Sequence, residues 1–499
     1  MNLIPQKAGT TPSYYCTWEA QNNVKKRTND PNPAKFEGDQ GAQLARASLN
    51  DELLFGENGL ALQYDKIRGD LYFVLDDGWD VPYGVNPATQ KQDFGSLLLN
   101  EERFPSCDGT PAERLAKMND RMKALGWKGV GLWVASQAQG EMGDNRLSKK
   151  QSIEYWTQRL KWCHQANIGY WKVDWGLHCH CLEFRQMLTN LAKQICPGLI
   201  IEHCRCMKPV NENAGRFDNW GEVTDNALKT FRFSDAFRSY DVTIPLSAAT
   251  TLDRLAVLLQ APVDNGALGI INGEDELYVG AALGCAIGVM RSKLDRGEKR
   301  LDEATRAARW QRFAPAFGAG ICKTNISMEI GTDTWHFKPG DTWASELIGT
   351  TVSQCAPMVI ARGLDLPHFY DTSGDTPYVI AARNPSGATS IATIRRTFAD
   401  GIRTPGCKIQ LNAGASGNPI GIFGYYKELT INFDDTISAK KIYAQDLAGE
   451  AAQDITSLVM VDNNRLVISG KLITKIGLEN ATSGDLSEPG LVLVIKGDE

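Results

Sequence analysis

The sequence predicts an α/β fold, a (β/α)8 TIM barrel over residues 1–324 followed by a C-terminal antiparallel β-sandwich over 325–499. Three observations carry that expectation. From about residue 12 to 320, short apolar runs alternate with segments of helical periodicity. Carboxylates and cations recur where the apolar runs end, which is where a barrel places its chemistry. After about residue 325 the helical periodicity fades into short runs separated by Gly, Asn, Asp and Pro.

Taken in order, the strand candidates of the first part are Ser13–Trp18, Leu71–Leu75, Gly129–Val134, Gly169–Val173, Leu199–His203, Lys229–Phe233, Ala267–Ile271 and Gly284–Met290. Between them, Leu115, Met118, Met122 and Leu125 recur at helical spacing, as do Ile153, Trp156, Leu160 and Cys163, then Phe184, Leu188, Leu191 and Ile195. Thr110-Pro-Ala-Glu113 supplies a cap, a first-turn proline and an acid to open the first of these helices. A doubly wound sheet is the competing arrangement, and the strand-end charges favour the barrel. In the second part Pro377–Ala382, Ser390–Thr393, Leu429–Phe433, Lys441–Ala444 and Leu491–Ile495 read as strands.

Bulk properties narrow the partners. With 42% hydrophobic and 22% charged residues the chain is globular, and 499 residues exceed one ordinary domain. A net charge of −6 argues against nucleic acid or an anionic membrane and for a neutral small-molecule ligand. The first residues lack the apolar core of a signal peptide, and Leu277 to Met290 is too short and glycine-rich to span a bilayer. Twelve cysteines are too sparse for a disulfide scaffold. A cytoplasmic protein is expected, or a secreted one that has lost a signal.

Three constellations could carry chemistry. Val74-Leu-Asp-Asp-Gly-Trp79 runs an apolar strand into Asp76 and Asp77, two acceptors for neighbouring sugar hydroxyls; its alternative is an acidic turn. In Trp171-Lys172-Val173-Asp174-Trp175, Lys172 and Asp174 project to one side of a strand. The ammonium keeps the carboxylate ionised, as a nucleophile requires; the alternative is a structural ion pair. Phe231-Arg-Phe-Ser-Asp235 adds Arg232 and a second carboxylate. Glycoside hydrolysis with retention needs two carboxyl groups about 5–5.5 Å apart, one protonated as general acid. Asp235 is the first choice for that acid, Asp241 the fallback, and a helix-capping aspartate the alternative.

The order Asp-Asp-Gly-Trp, Lys-x-Asp, Arg…Asp resembles the melibiase clan of retaining α-glycosidases. Lys128-Gly-Val-Gly-Leu-Trp133 and Gly273-Glu-Asp-Glu-Leu-Tyr-Val-Gly280 add to the resemblance over about residues 12–320. It implies a barrel with a C-terminal sandwich, Asp174 as nucleophile and Asp235 as acid/base. It implies further that Asp76, Asp77, Lys172 and Arg232 hold sugar hydroxyls, with Trp18 and Trp133 lining the pocket. Asp235 lies three residues after Arg232, where many α-galactosidases have four. The segment Glu202-His-Cys-Arg-Cys206 also departs from the galactosidase pattern near the sugar 2-position, so His203 and Cys204 are candidates for that subsite.

A competing signal is His178-Cys-His-Cys181 with His203-Cys-Arg-Cys206, which neighbouring barrel loops could join around zinc. The Cys-x-Cys spacing differs from a zinc knuckle, and buried thiols are the blander reading. The expectation is therefore an α-galactosidase-like glycoside hydrolase acting on a carbohydrate, without metal or cofactor and with self-association left open. A zinc-dependent barrel hydrolase, a sugar-binding barrel without turnover and a transglycosylase are the alternatives.

Overall fold

The computed structural model describes residues 1–25, 38–82, 90–205, 224–238, 244–261, 268–294, 298–341, 347–370 and 374–497. The first part forms eight parallel strands: β1 (Tyr14–Cys16), β2 (Tyr72–Leu75), β3 (Gly129–Val134), β4 (Tyr170–Val173), β5 (Ile200–Cys204), β6 (Ala236–Arg238), β7 (Ile270–Asn272) and β8 (Gly288–Val289). They pair in the order β7-β6-β5-β4-β3-β2-β1-β8. A parallel bridge from Asn272 to Ala286 closes the ring beside β8. This is the (β/α)8 barrel.

Local chemistry sets the helices around it. Thr110 and Glu113 form a reciprocal capping box on the helix Pro111–Ala124, and Ser148 with Gln151 does the same for Lys149–Gln165. The helix Leu182–Ile195 buries Phe184, Leu188 and Ala192 on one face. Inside the barrel, Tyr14, Cys16, Val74 and Tyr170 fill one layer. A β-carbon at Gly288 would come within 2.8 Å of the Tyr14 ring, so this strand must be bare there to admit a tyrosine.

One strand lies elsewhere than the sequence predicts. Residues 230–233 alternate polar and apolar, yet residues 229–233 belong to the helix Thr224–Phe231 and the turn after it. Ala227 and Phe231, four apart and both fully buried, define a helical face that overrides the alternation. The true sixth strand starts at Ala236 and has three residues, too few to show a period.

The C-terminal part is a β-sandwich of an eight-stranded and a five-stranded sheet. The five strands predicted there appear as Tyr378–Arg383, Thr389–Ile394, Glu428–Phe433, Lys441–Asp446 and Gly490–Lys496. Most neighbours are antiparallel, but Thr389–Ile394 pairs parallel with Ile420–Phe423. The chain crosses to Lys408–Gly414 in the other sheet between them and returns in the same direction. The change of architecture falls between the helix Asp302–Trp310 and the strand Thr324–Ile326. A fully buried ion pair, Arg306 with Asp446 at 2.9 Å, fastens that helix to the sandwich.

Candidate active site

The barrel gathers its buried charges at the C-terminal ends of the strands. Asp76, just past β2, accepts from Lys172 Nζ at 2.6 Å and from the Cys16 thiol at 3.0 Å. Burial pushes the Asp76 carboxyl up, but Lys172, Cys16 and the backbone N–H of Asp77 outweigh it and hold it below the usual carboxylate range. Asp77 turns away to Arg46, which grips it twice, at 2.9 and 2.7 Å. Burial raises that carboxyl in spite of Arg46.

Asp174 follows β4 and is 4% exposed. Its Oδ2 accepts from Trp133 Nε1 at 2.9 Å and faces Arg238 Nη2 at 3.6 Å. Its backbone is tied down from both neighbours: its N–H donates to Val134, and its carbonyl accepts from Ser136 Oγ and Arg185 Nη2. Trp133 is itself fully buried, with Nε1 of Trp79 donating to its carbonyl. It therefore positions Asp174 rather than offering a free ring face.

Arg238, the last residue of β6, is the hub. Fully buried, it lies 3.3 Å from Glu274, 3.6 Å from Asp174 and 3.9 Å from Glu202, and its Nε donates to Cys204 Sγ at 3.2 Å. Glu202 also accepts from the Tyr14 hydroxyl at 3.2 Å, the Tyr170 hydroxyl at 2.8 Å and Asn272 Nδ2 at 2.7 Å. Burial, reinforced by the Glu202 charge, raises both phenols well above their usual range, so they remain donors. Glu274 holds φ +51°, the left-handed region that non-glycine residues seldom occupy, and its N–H rests on Asn272 Oδ1.

These groups comprise two cations, Lys172 and Arg238, against four carboxylates, Asp76, Asp174, Glu202 and Glu274.

Several predicted site residues fall here: Asp76, Lys172, Asp174 and Cys204 converge, Asp77 adjoins them, and Trp133 orients Asp174. Trp18 opens the helix Trp18–Lys25, half-buried against the interior layer of Tyr14, Cys16, Val74 and Tyr170. Others do not. Asp235 precedes β6, and its Oδ2 accepts from the N–H of Ile201, near the start of β5. That is the N-terminal mouth of the barrel, opposite to Asp174, so Asp235 cannot serve as acid/base beside it. Arg232, on the turn after Phe231, lies on the same wrong side, and Arg238 stands where Arg232 was expected. Asp241 and Cys206 lie outside the described residues.

His203 is a further correction. Alternation along β5 turns Glu202 and Cys204 inward and His203 out toward the helices. Its ring bonds to Thr189 Oγ1 at 2.8 Å and Arg185 Nη1 at 3.2 Å, and burial with Arg185 and Arg205 keeps it neutral. His178 meets Glu141 at 3.0 Å instead of converging with His203. Burial, partly offset by Arg238, holds the Cys204 thiol well above its usual range. Among the described residues no three His, Cys, Asp or Glu side chains are grouped to hold a metal ion.

No family model and no curated protein matches the chain. Among solved structures it is similar to a GH27 β-L-arabinopyranosidase from Geobacillus stearothermophilus in complex with arabinose, at 11% identity and a TM-score of 0.43, covering 98% of this chain and 97% of that one. A putative α-N-acetylgalactosaminidase from Bacillus halodurans matches at 10% and 0.44 over the whole of both chains. An α-amylase from Geobacillus thermoleovorans complexed with acarbose matches at 10% and 0.42, covering 99% of this chain and 100% of that one. At such identities the residue roles rest on the geometry above.

Proposed function

We propose that this chain is a retaining exo-α-glycosidase that releases a terminal galactose-configured sugar through a covalent bond to Asp174. The observation that carries the reading is the setting of Asp174: buried at a strand end, with Oδ2 held by Trp133 and faced by Arg238. A tryptophan N–H and a guanidinium stabilise the ionised carboxylate, and a fixed backbone aims it, which is what a nucleophile at an anomeric carbon requires. Carboxylates gathered at the strand ends suit an oxocarbenium-like transition state. The choice of sugar rests on the resemblance of the strand-end motifs to the melibiase clan.

Asp174 attacks the anomeric carbon as the glycosidic bond breaks, while a protonated carboxyl group donates to the leaving oxygen. That group, now ionised, takes a proton from the water that cleaves the glycosyl ester, so configuration is retained. Asp241 is the acid/base in this reading. It follows Arg238 by three residues, the spacing that Arg232–Asp235 carries at the wrong mouth. Lys172 and Asp76 act together as donor and acceptor for sugar hydroxyls.

A panel of p-nitrophenyl α-galactoside, α-N-acetylgalactosaminide, α-glucoside and β-L-arabinopyranoside tests the activity. Asp174→Ala should lower kcat by at least about 10³-fold. Azide should restore turnover in that variant and give a glycosyl azide of inverted configuration. Wild-type rates in Asp174→Asn would refute the assignment.

A further inference from the structure

A cleft lies away from the barrel, in the sandwich. It is an open cleft of about 610 Å³, lined by sandwich strands, the loops that join them and Lys323 just before the first of them. That volume is in the range of about 300–1,000 Å³ typical of small-molecule sites. Two cations, Lys323 and Arg383, and two carboxylates, Asp365 and Asp434, face it; Lys323 and both carboxylates are exposed, and among the described residues no salt bridge joins any of them.

The amides beside them are held with capacity to spare. Asn432 donates to Asn412 Oδ1 at 3.0 Å, which leaves the Asn432 oxygen and the Asn412 amino group to face a ligand. Asn325 donates to the Leu364 carbonyl at 2.9 Å and retains its own oxygen. Arg383 spends one bond on the Asn412 carbonyl, while its Nε is buried with no partner. Gly414 makes room for that guanidinium. It has φ +82°, and a β-carbon there would come within 2.9 Å of Arg383 Nη2. An alanine would be strained by that backbone conformation, and the guanidinium would have to shift to admit it.

We infer that this cleft is a second, non-catalytic binding site for a neutral oligosaccharide. Its four charges cancel, so a phosphate would meet two carboxylates and a divalent cation would meet Lys323 and Arg383. Hydroxyl groups donate and accept at once, and match donors and acceptors interleaved in this way. The site goes beyond the proposed hydrolysis and rests on that reading only for the expectation that the chain meets sugars. Here it would hold a glycan while the barrel mouth works on a chain end, raising the effective concentration of ends.

The test is calorimetric titration of the full chain carrying Asp174→Asn with raffinose, maltotriose, xylotriose and cellotriose, and with inorganic phosphate and calcium as controls. The expected result is millimolar or tighter binding of at least one oligosaccharide. Arg383→Ala and Asn432→Ala should each weaken it by about tenfold or more without altering p-nitrophenyl glycoside hydrolysis in the wild-type background. Equal melting temperatures of the variants and parent show that both remain folded. No oligosaccharide binding up to about 20 mM, binding unchanged in both variants, or binding of phosphate alone would overturn the assignment. Loss of glycosidase activity across the substrate panel would overturn the barrel reading and leave this titration interpretable.

Discussion

Replacing Lys172 with methionine isolates the buried pair on which the mouth of the barrel is built. Lys172 and Asp76 lie 2.6 Å apart with side chains 2% and 3% exposed, so neither charge has water to fall back on. Methionine keeps most of the lysine's volume and removes its charge. The cost is then that of leaving Asp76 buried with the Cys16 thiol and backbone donors alone, about 3–5 kcal/mol. Urea unfolding near pH 8 should show that loss, and adding Asp76→Asn to Lys172→Met should recover a large part of it. The double-mutant cycle reads their coupling directly.

The pH dependence has a defined sign. In the wild type the Asp76 carboxyl is depressed, so its contribution is present above the unfolded value of about 3.9 and is lost only as pH falls through the folded value. Without Lys172, burial leaves the carboxyl raised, so acidification protonates it and relieves the penalty. The stability gap between variant and wild type is therefore widest at alkaline pH and closes as pH falls. A gap under about 1 kcal/mol at pH 8, or one that widens in acid, would refute the assignment of this pair as a buried, mutually dependent charge couple.

Asp235→Asn should leave kcat and KM near wild type and cost about 1 kcal/mol of stability, because the side chain serves the Ile201 N–H at the far mouth of the barrel. Asp241→Ala should slow substrates with poor leaving groups far more than aryl glycosides with good ones; an equal loss on both would remove it as the acid. His203→Phe should lower stability by about 1–3 kcal/mol with KM for the sugar unchanged, since it deletes the bonds to Thr189 and Arg185 outside the pocket. Asp80 is buried, keeps Oδ1 without a partner and gives Oδ2 to the Leu97 N–H; burial raises its carboxyl to about 7. The folded state thus binds the extra proton between about pH 4 and 7, so stability falls as pH rises through that window. Asp80→Asn should flatten this slope in thermal melts at a series of pH values, and an unchanged slope would exclude Asp80 as its source.

Much of the barrel was legible because its signals are local. The β3 span Gly129–Val134 coincides with the predicted run, and Lys172-Val-Asp174 sits at a strand end because a two-residue spacing on β4 turns both side chains one way. The capping box at Thr110 and Glu113 was equally plain. His203 was misplaced for the complementary reason. The segment Glu202–Cys206 was read as one recognition loop, whereas alternation on β5 sends its neighbours Glu202 and Cys204 to the pocket and His203 to the helices. That signal was present in the sequence once the strand was extended to Cys204.

Arg238 was illegible for a deeper reason. Its strand has three residues, and the helix before it carries an apolar–polar alternation that imitates a strand. A six-residue shift then selects Arg232 and Asp235, an equally spaced Arg…Asp pair at the other mouth of the same barrel. What distinguishes the two pairs is the company each keeps. Lys172 pairs with Asp76, and Asp174, Glu202 and Glu274 gather at the rim around a second cation. Arg238, at the C-terminal end of β6, reaches all three. Charge balance across strands, unlike periodicity within one, selects Arg238, and it makes Arg238→Met the change that exposes three carboxylates to one another at once.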